Sequence, residues 1–323
     1  MNLDSMLRPR APGAPAQLVC GTMNFGKRTA AAESERIMAR ALERGIAWFD
    51  TANAYNDGES ERIVGKALRP RRGEVLLATK CGIGPEIKKA EGLARNTVLR
   101  ACEDSLSRLG ADKIDLYYLH KPDPATPFDE TLEALEKLRS AGKIRAWAVS
   151  NFASWQIGDL NALAPKRGLP PPAVSQVIYN LLIRQLDVEY FRFTKAHPIH
   201  TTVYNPLAGG LLAGKGLPGK EREKGSRFEV NKMYQSRYLS QRFFELVETY
   251  GALARSAGLS LVELSYAWIA QRPQVDSVLL GPASVEQLDA AIEGCAKKLP
   301  EGLAARIDEV QLAFVGTDAV YAR

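Results

Sequence analysis

Four polar residues, Asp50, Tyr55, Lys80 and His120, fall at or shortly after the ends of three short apolar segments. A free phenol has a pKa of about 10 and is therefore a poor acid at neutral pH. An ammonium within a few ångströms favours the phenolate and lowers that pKa by roughly 1–3 units. A carboxylate beside the lysine would keep it charged and fixed, and an imidazole would orient the incoming group. Together the four residues predict a catalytic site that delivers a proton to a carbonyl oxygen.

Each of these residues also has an ordinary structural interpretation. An aspartate at a strand end often caps a helix, and a single histidine often satisfies polar groups of the core. The occurrence of all four residue types at successive strand ends favours the chemical interpretation for the set.

From residue 17 onward, short apolar segments alternate with longer segments of helical periodicity. The predicted strands are 18–21, 46–50, 75–79, 114–120, 146–150, 174–178, 200–203 and 278–280. The predicted helices include 33–44, 60–68, 95–109, 130–141, 154–163, 188–195 and 285–296. Within 95–109 the apolar residues recur at the spacing of one buried helical face.

Eight strands in this alternation favour a single (β/α)8 TIM barrel. A doubly wound sheet shows the same alternation, so periodicity alone leaves both folds open. Residues 208–234 predict a long loop after the seventh strand, and 237–272 supply two helices where one would suffice. Residues 299–323 predict a final helix and tail. We expect one domain over residues 17–323.

Composition excludes several classes of protein. The formal charge of +6 is modest and the basic residues are scattered, which argues against nucleic acid as a partner. The four cysteines show no CxxC spacing and the three histidines no HExxH motif, which fits a reduced compartment without a metal site. No apolar run reaches the length of a membrane-spanning helix. We therefore expect a cytoplasmic protein with no membrane partner.

The first 16 residues carry Arg8, Arg10 and several prolines but no apolar region typical of a secretory signal. An amphipathic transit peptide is one interpretation of this segment. A disordered N-terminus over residues 1–16 is the expectation that we prefer.

Three further motifs accompany the four polar residues: Val149-Ser150-Asn151-Phe152, the segment from Tyr204 to Gly210, and Gly281-Pro282-Ala283-Ser284 with the residues up to Leu288. With them the chain resembles an aldo-keto reductase from about Gly21 to its C-terminus. The aflatoxin aldehyde reductase (succinic semialdehyde reductase) branch is the most similar, through Asp57-Gly58-Glu59-Ser60-Glu61 and Asn151-Phe152-Ala153-Ser154-Trp155. That branch reduces aldehydes and dialdehydes with NADPH, usually as dimers.

The resemblance implies a role for each residue of the tetrad Asp50, Tyr55, Lys80 and His120. Tyr55 would be the general acid, Lys80 would lower its pKa, Asp50 would hold Lys80, and His120 would orient the carbonyl. The resemblance also implies that NADPH is the cofactor. Its nicotinamide would contact Ser150, Asn151, Gln176 and Tyr204, and other cofactor contacts would come from Gly21, Thr22, Met23, Asp50, Asn205, Pro206, Leu207 and Gly209.

By the same resemblance, Lys215, Arg227, Gly281, Ser284 and Gln287 would meet the cofactor's phosphates. Related sequences often carry Glu and Asn where this chain has Ala290 and Ala291. The segment GGLLAGK, residues 209–215, matches GxxxxGK of a P-loop, but Gly216 follows instead of Ser or Thr. The dinucleotide fingerprint GxGxxG is absent, which argues against a Rossmann domain.

The terminal residue, Arg323, has two interpretations. The similar branch ends in an arginine that helps to bind carboxylate substrates, and a guanidinium binds a carboxylate through two parallel hydrogen bonds. The other interpretation is a disordered terminal charge. The sequence thus predicts an NADPH-dependent reductase of small-molecule aldehydes. The alternatives are a regulatory subunit resembling the potassium-channel β-subunits and a barrel that has lost its chemistry.

Overall fold

The computed structural model describes residues 3–84, 91–219 and 227–317, and its centre is a closed barrel of eight parallel strands. Each strand pairs with the next, and β8 closes the barrel on β1. This closure confirms the predicted (β/α)8 barrel over the doubly wound sheet. The strands are β1 (Gln17–Gly21), β2 (Trp48–Asp50), β3 (Leu76–Cys81), β4 (Ile114–Leu119), β5 (Ile144–Ser150), β6 (Val174–Ile178), β7 (His200–Tyr204) and β8 (Ser277–Leu280).

The strands are apolar because both of their faces are covered, as is usual for parallel sheets. Every residue of β3 and of β4 is buried. Along β4, Leu116 and Tyr118 point into the barrel, where they pack with Trp48, whereas Tyr117 and Leu119 pack against the surrounding helices. The period of two along each strand therefore separates the interior, which carries the site, from the outer core.

Helices surround the barrel in the predicted alternation. Those that follow the first six strands and the last are α2 (Ala31–Glu43), α3 (Glu59–Leu68), α4 (Arg95–Leu109), α5 (Phe128–Ser140), α6 (Ser154–Leu163), α7 (Tyr190–Ala196) and α12 (Val285–Ala296). The apolar face predicted for α4 is buried at Val98, Cys102, Leu106 and Leu109. Helix α7 begins two residues later than predicted, because a single 3-10 turn, Gln185–Asp187, precedes it.

The connection between β7 and β8 is longer than a single loop and helix, as predicted. A 3-10 stretch, Ala208–Ala213, follows the strand, and two short helices, α8 (Arg227–Val230) and α9 (Lys232–Tyr238), come before the next full helices. These are α10 (Gln241–Ser256) and α11 (Leu261–Gln271), and α13 (Leu303–Val315) follows α12. Among the described residues no helix has the length and hydropathy to span a membrane.

The expectation of a disordered segment over residues 1–16 is wrong for the described part of that segment. A short helix, α1 (Leu3–Met6), places Leu3 and Leu7 against the interior residues at the N-terminal end of the barrel, where both are buried. The backbone N–H of Arg10 donates to Asp276 Oδ1 at 2.6 Å. The physical reason is coverage: two leucines four residues apart lie on one face of a helical turn and shield apolar side chains that would otherwise meet water.

Candidate active site

A buried ion pair between β2 and β3 forms the base of the site. Asp50 ends β2 and Lys80 is the penultimate residue of β3, and both side chains are at most 1% exposed. Lys80 Nζ donates to Asp50 Oδ1 and, at 2.8 Å, to the carbonyl of Thr51. Burial alone would lower the pKa of Lys80, but the charge of Asp50 and the contact with Tyr55 raise it, so the lysine stays protonated. The pair supplies a fixed positive charge in the barrel interior.

Tyr55 lies above this charge, in the loop after β2. Lys80 Nζ is 3.4 Å from Tyr55 Oη and 5.0 Å from the centre of its ring. Burial raises the pKa of Tyr55, and the positive charge of Lys80 opposes this effect without overcoming it. Lys80 thus acts on the pKa of Tyr55 in the predicted direction, but burial has the larger effect, because a phenolate is costly in a site that excludes water.

His120 directly follows β4 and faces the same space. Its ring meets that of Tyr55 edge-on, with centroids 5.9 Å apart and planes at 80°. Burial, together with the positive charges of Lys80 and Lys121, moves the pKa of His120 well below its ordinary value, so the imidazole is neutral at pH 7. Its Nδ1 is buried and has no hydrogen-bond partner among the described residues. A neutral imidazole beside the phenol can bind a carbonyl oxygen without competing as an acid.

A strained turn sets the position of Tyr55. Asn56, Asp57 and Gly58 follow it with φ values of 52°, 56° and 81°, a left-handed run that favours glycine and asparagine. The amide of Asn56 donates to the carbonyls of Met23, at 3.1 Å, and Phe25, at 2.6 Å. The turn after the phenol is thereby attached to the loop that follows β1.

The predicted nicotinamide contacts lie together at the ends of β5, β6 and β7. Ser150 pairs with Gln176 in the parallel register. Asn151 Nδ2 donates to the carbonyl of His120 at 2.9 Å, and Tyr204 Oη donates to Asn151 Oδ1 at 2.7 Å. Hydroxyl and amide groups in this arrangement can match the donors and acceptors of a carboxamide. Gln176 makes one more contact, since its Nε2 donates to Asp50 Oδ2 at 2.9 Å.

The loop after β7 is shaped by its backbone. Asn205 has a φ of 66°, and its Oδ1 accepts from the N–H of Gly209 at 2.8 Å. Gly209 and Gly210 have φ values of 72° and 110°, and a Cβ on Gly209 would lie 2.7 Å from the ring of Tyr234. Pro206 and Leu207 lie within this turn, so these predicted cofactor residues shape one wall of the site.

The loop after β1 divides the predicted cofactor residues into packed and accessible ones. A Cβ on Gly21 would come within 2.5 Å of the Leu279 side chain and 3.0 Å of the Leu280 carbonyl, so a larger residue there would require these neighbours to shift. The Thr22 side chain is fully buried and bonds to Ser60 Oγ at 2.8 Å and to the carbonyl of Asp50 at 3.1 Å. That side chain has a structural role, whereas Met23 is 37% exposed and open to a ligand.

The predicted phosphate contacts gather around the start of α12. Asn24 Nδ2 donates to the carbonyl of Gly281 at 3.1 Å, and Arg227 Nη2 donates to Asn24 Oδ1 at 3.3 Å. Ser284 is the N-cap of α12, and its Oγ accepts from the N–H of Gln287 at 3.3 Å. A guanidinium beside a helix N-terminus suits an anion.

Two features at the start of α12 weaken its fit to an anion. Gln287 Oε1 already accepts from the N–H of Ala283 at 3.0 Å, and a carboxylate oxygen of Glu33 accepts from the N–H of Val285 at 3.0 Å. Lys215 lies in the loop after β7, where its backbone N–H donates to the carbonyl of Gly210 at 3.0 Å. Arg323 lies outside the described residues.

Two residues that sequence reasoning missed belong to the site. Tyr118 lies two residues before His120 on the interior face of β4, with its ring centre 5.6 Å from Lys80 Nζ, so the strand period could have identified it. Asn24 connects Arg227 with the Gly281 loop, and no sequence signal marks it. Among the described residues no cluster of potential metal ligands occurs.

The chain is similar to known proteins along most of its length. Residues 17–312 match the Aldo/keto reductase family. The chain is 36% identical over 307 residues to aflatoxin B1 aldehyde reductase member 2 of Rattus norvegicus, covering 87% of this chain and 81% of that protein. It is 36% identical over 260 residues to aldo-keto reductase YhdN of Bacillus subtilis, covering 78% and 76%. It is 30% identical over 272 residues to a probable voltage-gated potassium channel subunit beta of Oryza sativa, covering 82% and 83%.

A parallel eight-stranded barrel with a buried Lys–Asp pair beneath a tyrosine and a neutral histidine defines an oxidoreductase that acts on carbonyl groups. The chain belongs to the aldo/keto reductase family.

Proposed function

We propose that this protein reduces aldehydes to alcohols with NADPH, and that Tyr55 is the proton donor. The observation that carries the proposal is the continuous series of contacts from Tyr55 Oη through Lys80 Nζ to Asp50, beside a neutral His120. A raised pKa keeps Tyr55 protonated at neutral pH, which is the state that reduction requires.

Each residue contributes to the reaction through its own chemistry. NADPH, when bound, supplies the hydride. Ser150, Asn151 and Gln176 would hold the nicotinamide carboxamide, and Tyr204 would pack against its ring. The imidazole of His120 would position the carbonyl oxygen next to Tyr55. Tyr55 then donates its phenolic proton to that oxygen, and the charge of Lys80 stabilises the phenolate that remains.

The preference for NADPH over NADH rests on positive charge near the start of α12. Arg227 is tied to this loop through Asn24, and Lys215 lies in the neighbouring loop. Ser284 and Gln287 are used to cap the helix, so we assign the larger part of phosphate binding to the two cations. A charged donor makes hydrogen bonds to phosphate that are roughly twice as strong as neutral ones.

The finer parts of the proposal concern substrate and assembly. We propose small aldehydes, including dialdehydes and aldehydes with a carboxylate, with Arg323 as the residue that binds the carboxylate. The resemblance also favours a homodimer in the cytoplasm. These parts rest on the similarity to the aflatoxin aldehyde reductases and not on a contact among the described residues.

The test is an assay with a panel of aldehydes, in parallel with NADPH and NADH. We expect turnover with NADPH and tighter binding of NADPH than of NADH, measured as dissociation constants by fluorescence quenching. Arg227→Met should weaken NADPH binding by roughly tenfold, at about 1.4 kcal/mol per decade, and leave NADH nearly unchanged. The control is Arg139→Met, which removes an exposed arginine from the last turn of α5.

The possible results separate the proposed functions. Turnover with equal affinities for the two cofactors would refute the preference for NADPH and retain the reductase. Tight cofactor binding without turnover of any aldehyde would refute the reductase and favour a regulatory subunit.

A further inference from the structure

Gln176 connects two opposite walls of the barrel. It lies in β6, beside Ser150 of β5, and only 3% of its surface is exposed. Its side chain crosses the interior to β2, four strands away in the closed barrel, where Nε2 donates to Asp50 Oδ2 at 2.9 Å. A glutamine that only bound the nicotinamide would not need this hydrogen bond to the opposite wall.

The contact gives the second carboxylate oxygen of Asp50 a hydrogen-bond donor. One carboxylate oxygen accepts from Lys80 and the other from Gln176. An ionised carboxylate can only accept hydrogen bonds, so the nitrogen of the Gln176 amide must face Asp50 and Oε1 must point elsewhere. Oε1 is therefore the end that can accept from the N–H of a nicotinamide carboxamide. One amide group would thus contact both the cofactor and the residue that holds Lys80.

The charge of Asp50 acts on Tyr55 in two ways. Asp50 keeps Lys80 protonated, which favours the phenolate, but its own negative charge raises the pKa of Tyr55. A hydrogen bond to a charged group stabilises that charge and draws part of it towards the donor. The amide of Gln176 therefore reduces the part of the Asp50 charge that opposes ionisation of Tyr55.

The surroundings of Gln176 restrict its amide. The ring of Tyr118 lies 5.6 Å from Lys80 Nζ, and the side chains of Gln176 and Thr202 lie beside the Tyr118 hydroxyl. Tyr118 is fully buried, so the layer beneath the tetrad is closed to water. In such a layer an amide that left Asp50 would leave a carboxylate oxygen unsatisfied, which is costly.

We propose that Gln176 is a positioning residue of the proton donor as well as a cofactor contact: it fixes Asp50 and thereby sets the ionisation of Tyr55. The inference rests on the proposed reductase function. It predicts that loss of the amide changes the pH dependence of catalysis and not only the affinity for cofactor.

The experiment compares Gln176→Met with Ser150→Ala. Methionine keeps the length of the side chain and removes the donor, whereas Ser150 is the neighbouring predicted carboxamide contact and makes no described contact with Asp50. Oxidation of an alcohol with NADP+ is the direction to measure, because a cationic oxidised nicotinamide lowers the pKa of a nearby phenol into the measurable range. The quantities are the midpoint of kcat against pH and the dissociation constant of NADP+.

We expect Gln176→Met to move the midpoint upward by about 0.5–1 pH unit, a fraction of the effect that one hydrogen bond to a charged group can have. Ser150→Ala should weaken cofactor binding and leave the midpoint in place. If Gln176→Met weakens binding with an unmoved midpoint, Gln176 is a cofactor contact only and the inference is wrong.

A second measurement does not depend on catalysis. The thermal stabilities of Gln176→Leu, Asp50→Ala and the double variant are compared with that of the wild type in the absence of cofactor. If the contact fixes Asp50, the double variant loses little more stability than Asp50→Ala alone, and additive losses would overturn the inference. A wild-type protein without turnover would refute the reductase proposal separately, and this cycle would still decide whether Gln176 and Asp50 act together.

Discussion

The two ends of the barrel interior are both polar and buried, yet they are built differently. The upper end lies at the C-terminal ends of the strands, and the lower end lies at their N-terminal ends. At the upper end, Lys80 and Asp50 form an ion pair beneath Tyr55. At the lower end, His200 Nε2 lies 3.0 Å from Ser277 Oγ, and His200 Nδ1 lies 3.0 Å from the carbonyl of Arg8. The upper end carries a buried ion pair, whereas the lower end places a neutral histidine, His200, beneath the N-terminal segment.

The histidines of the two ends, His120 and His200, differ in how much hydrogen-bonding capacity remains. Both ring nitrogens of His200 are used within the protein, and its ring lies 5.5 Å from that of Trp48. At the upper end, Nδ1 of His120 has no partner among the described residues. Satisfied polar groups stabilise a fold, whereas a preorganised group with capacity to spare can act on a substrate. The same barrel thus separates support from chemistry along its axis.

The largest expected effect comes from breaking the charged end. Lys80→Met removes one partner of a buried ion pair and leaves Asp50 unpaired, which costs about 3–5 kcal/mol of unfolding free energy. It should also raise the pH midpoint of alcohol oxidation, because the cation that favours the Tyr55 phenolate is lost. Chemical denaturation and a pH profile of kcat measure the two effects.

Lys143→Met is the control for this variant, since Lys143 pairs with Glu103 on the surface and such pairs contribute little. Equal stability losses for the two lysine variants would mean that the ion pair does not stabilise the fold. An unshifted pH profile in Lys80→Met would mean that the pair does not lower the pKa of Tyr55.

A smaller effect, on the pH dependence of stability, is expected from His200 at the lower end. Burial lowers the pKa of His200, so the unfolded chain takes up a proton near pH 6.5 that the folded protein does not. Stability is therefore complete above that pH and falls below it, by at most about 1.4 kcal/mol per pH unit for one histidine. His200→Gln should reduce this slope between pH 6.5 and 5.5 and keep kcat within about twofold, as expected for a site remote from the chemistry. Denaturation at several pH values tests it.

His120→Gln sharpens the same comparison. The pKa of His120 is also lowered, so its loss should reduce the acid slope in the same direction, but turnover should fall as well. If His200→Gln abolished activity, the two ends of the interior would be coupled and the separation described above would be wrong.

The sequence predicts the upper end of the barrel interior, with its ion pair, better than the lower end around His200. Asp50, Lys80 and His120 come at the ends of apolar strands, and parallel strands must bring their carboxyl ends to one edge. The net pKa of Tyr55 could not be predicted, because it depends on burial. The contact of Gln176 with Asp50 spans 126 positions of sequence and depends on barrel closure, which periodicity does not determine. The packed N-terminal segment was missed because its prolines and arginines suggest a tail, while Leu3 and Leu7 alone indicate the buried face.

The central claim is that Tyr55 donates the proton, and Tyr55→Phe tests it most directly. The substitution keeps the ring against His120 and removes only the hydroxyl. Single-turnover reduction of an aldehyde by enzyme saturated with NADPH should slow by roughly 10²-fold or more, which is the usual contribution of a general acid. The dissociation constant of NADPH should stay unchanged, because the hydroxyl acts in the transition state. A wild-type single-turnover rate in Tyr55→Phe would contradict the account.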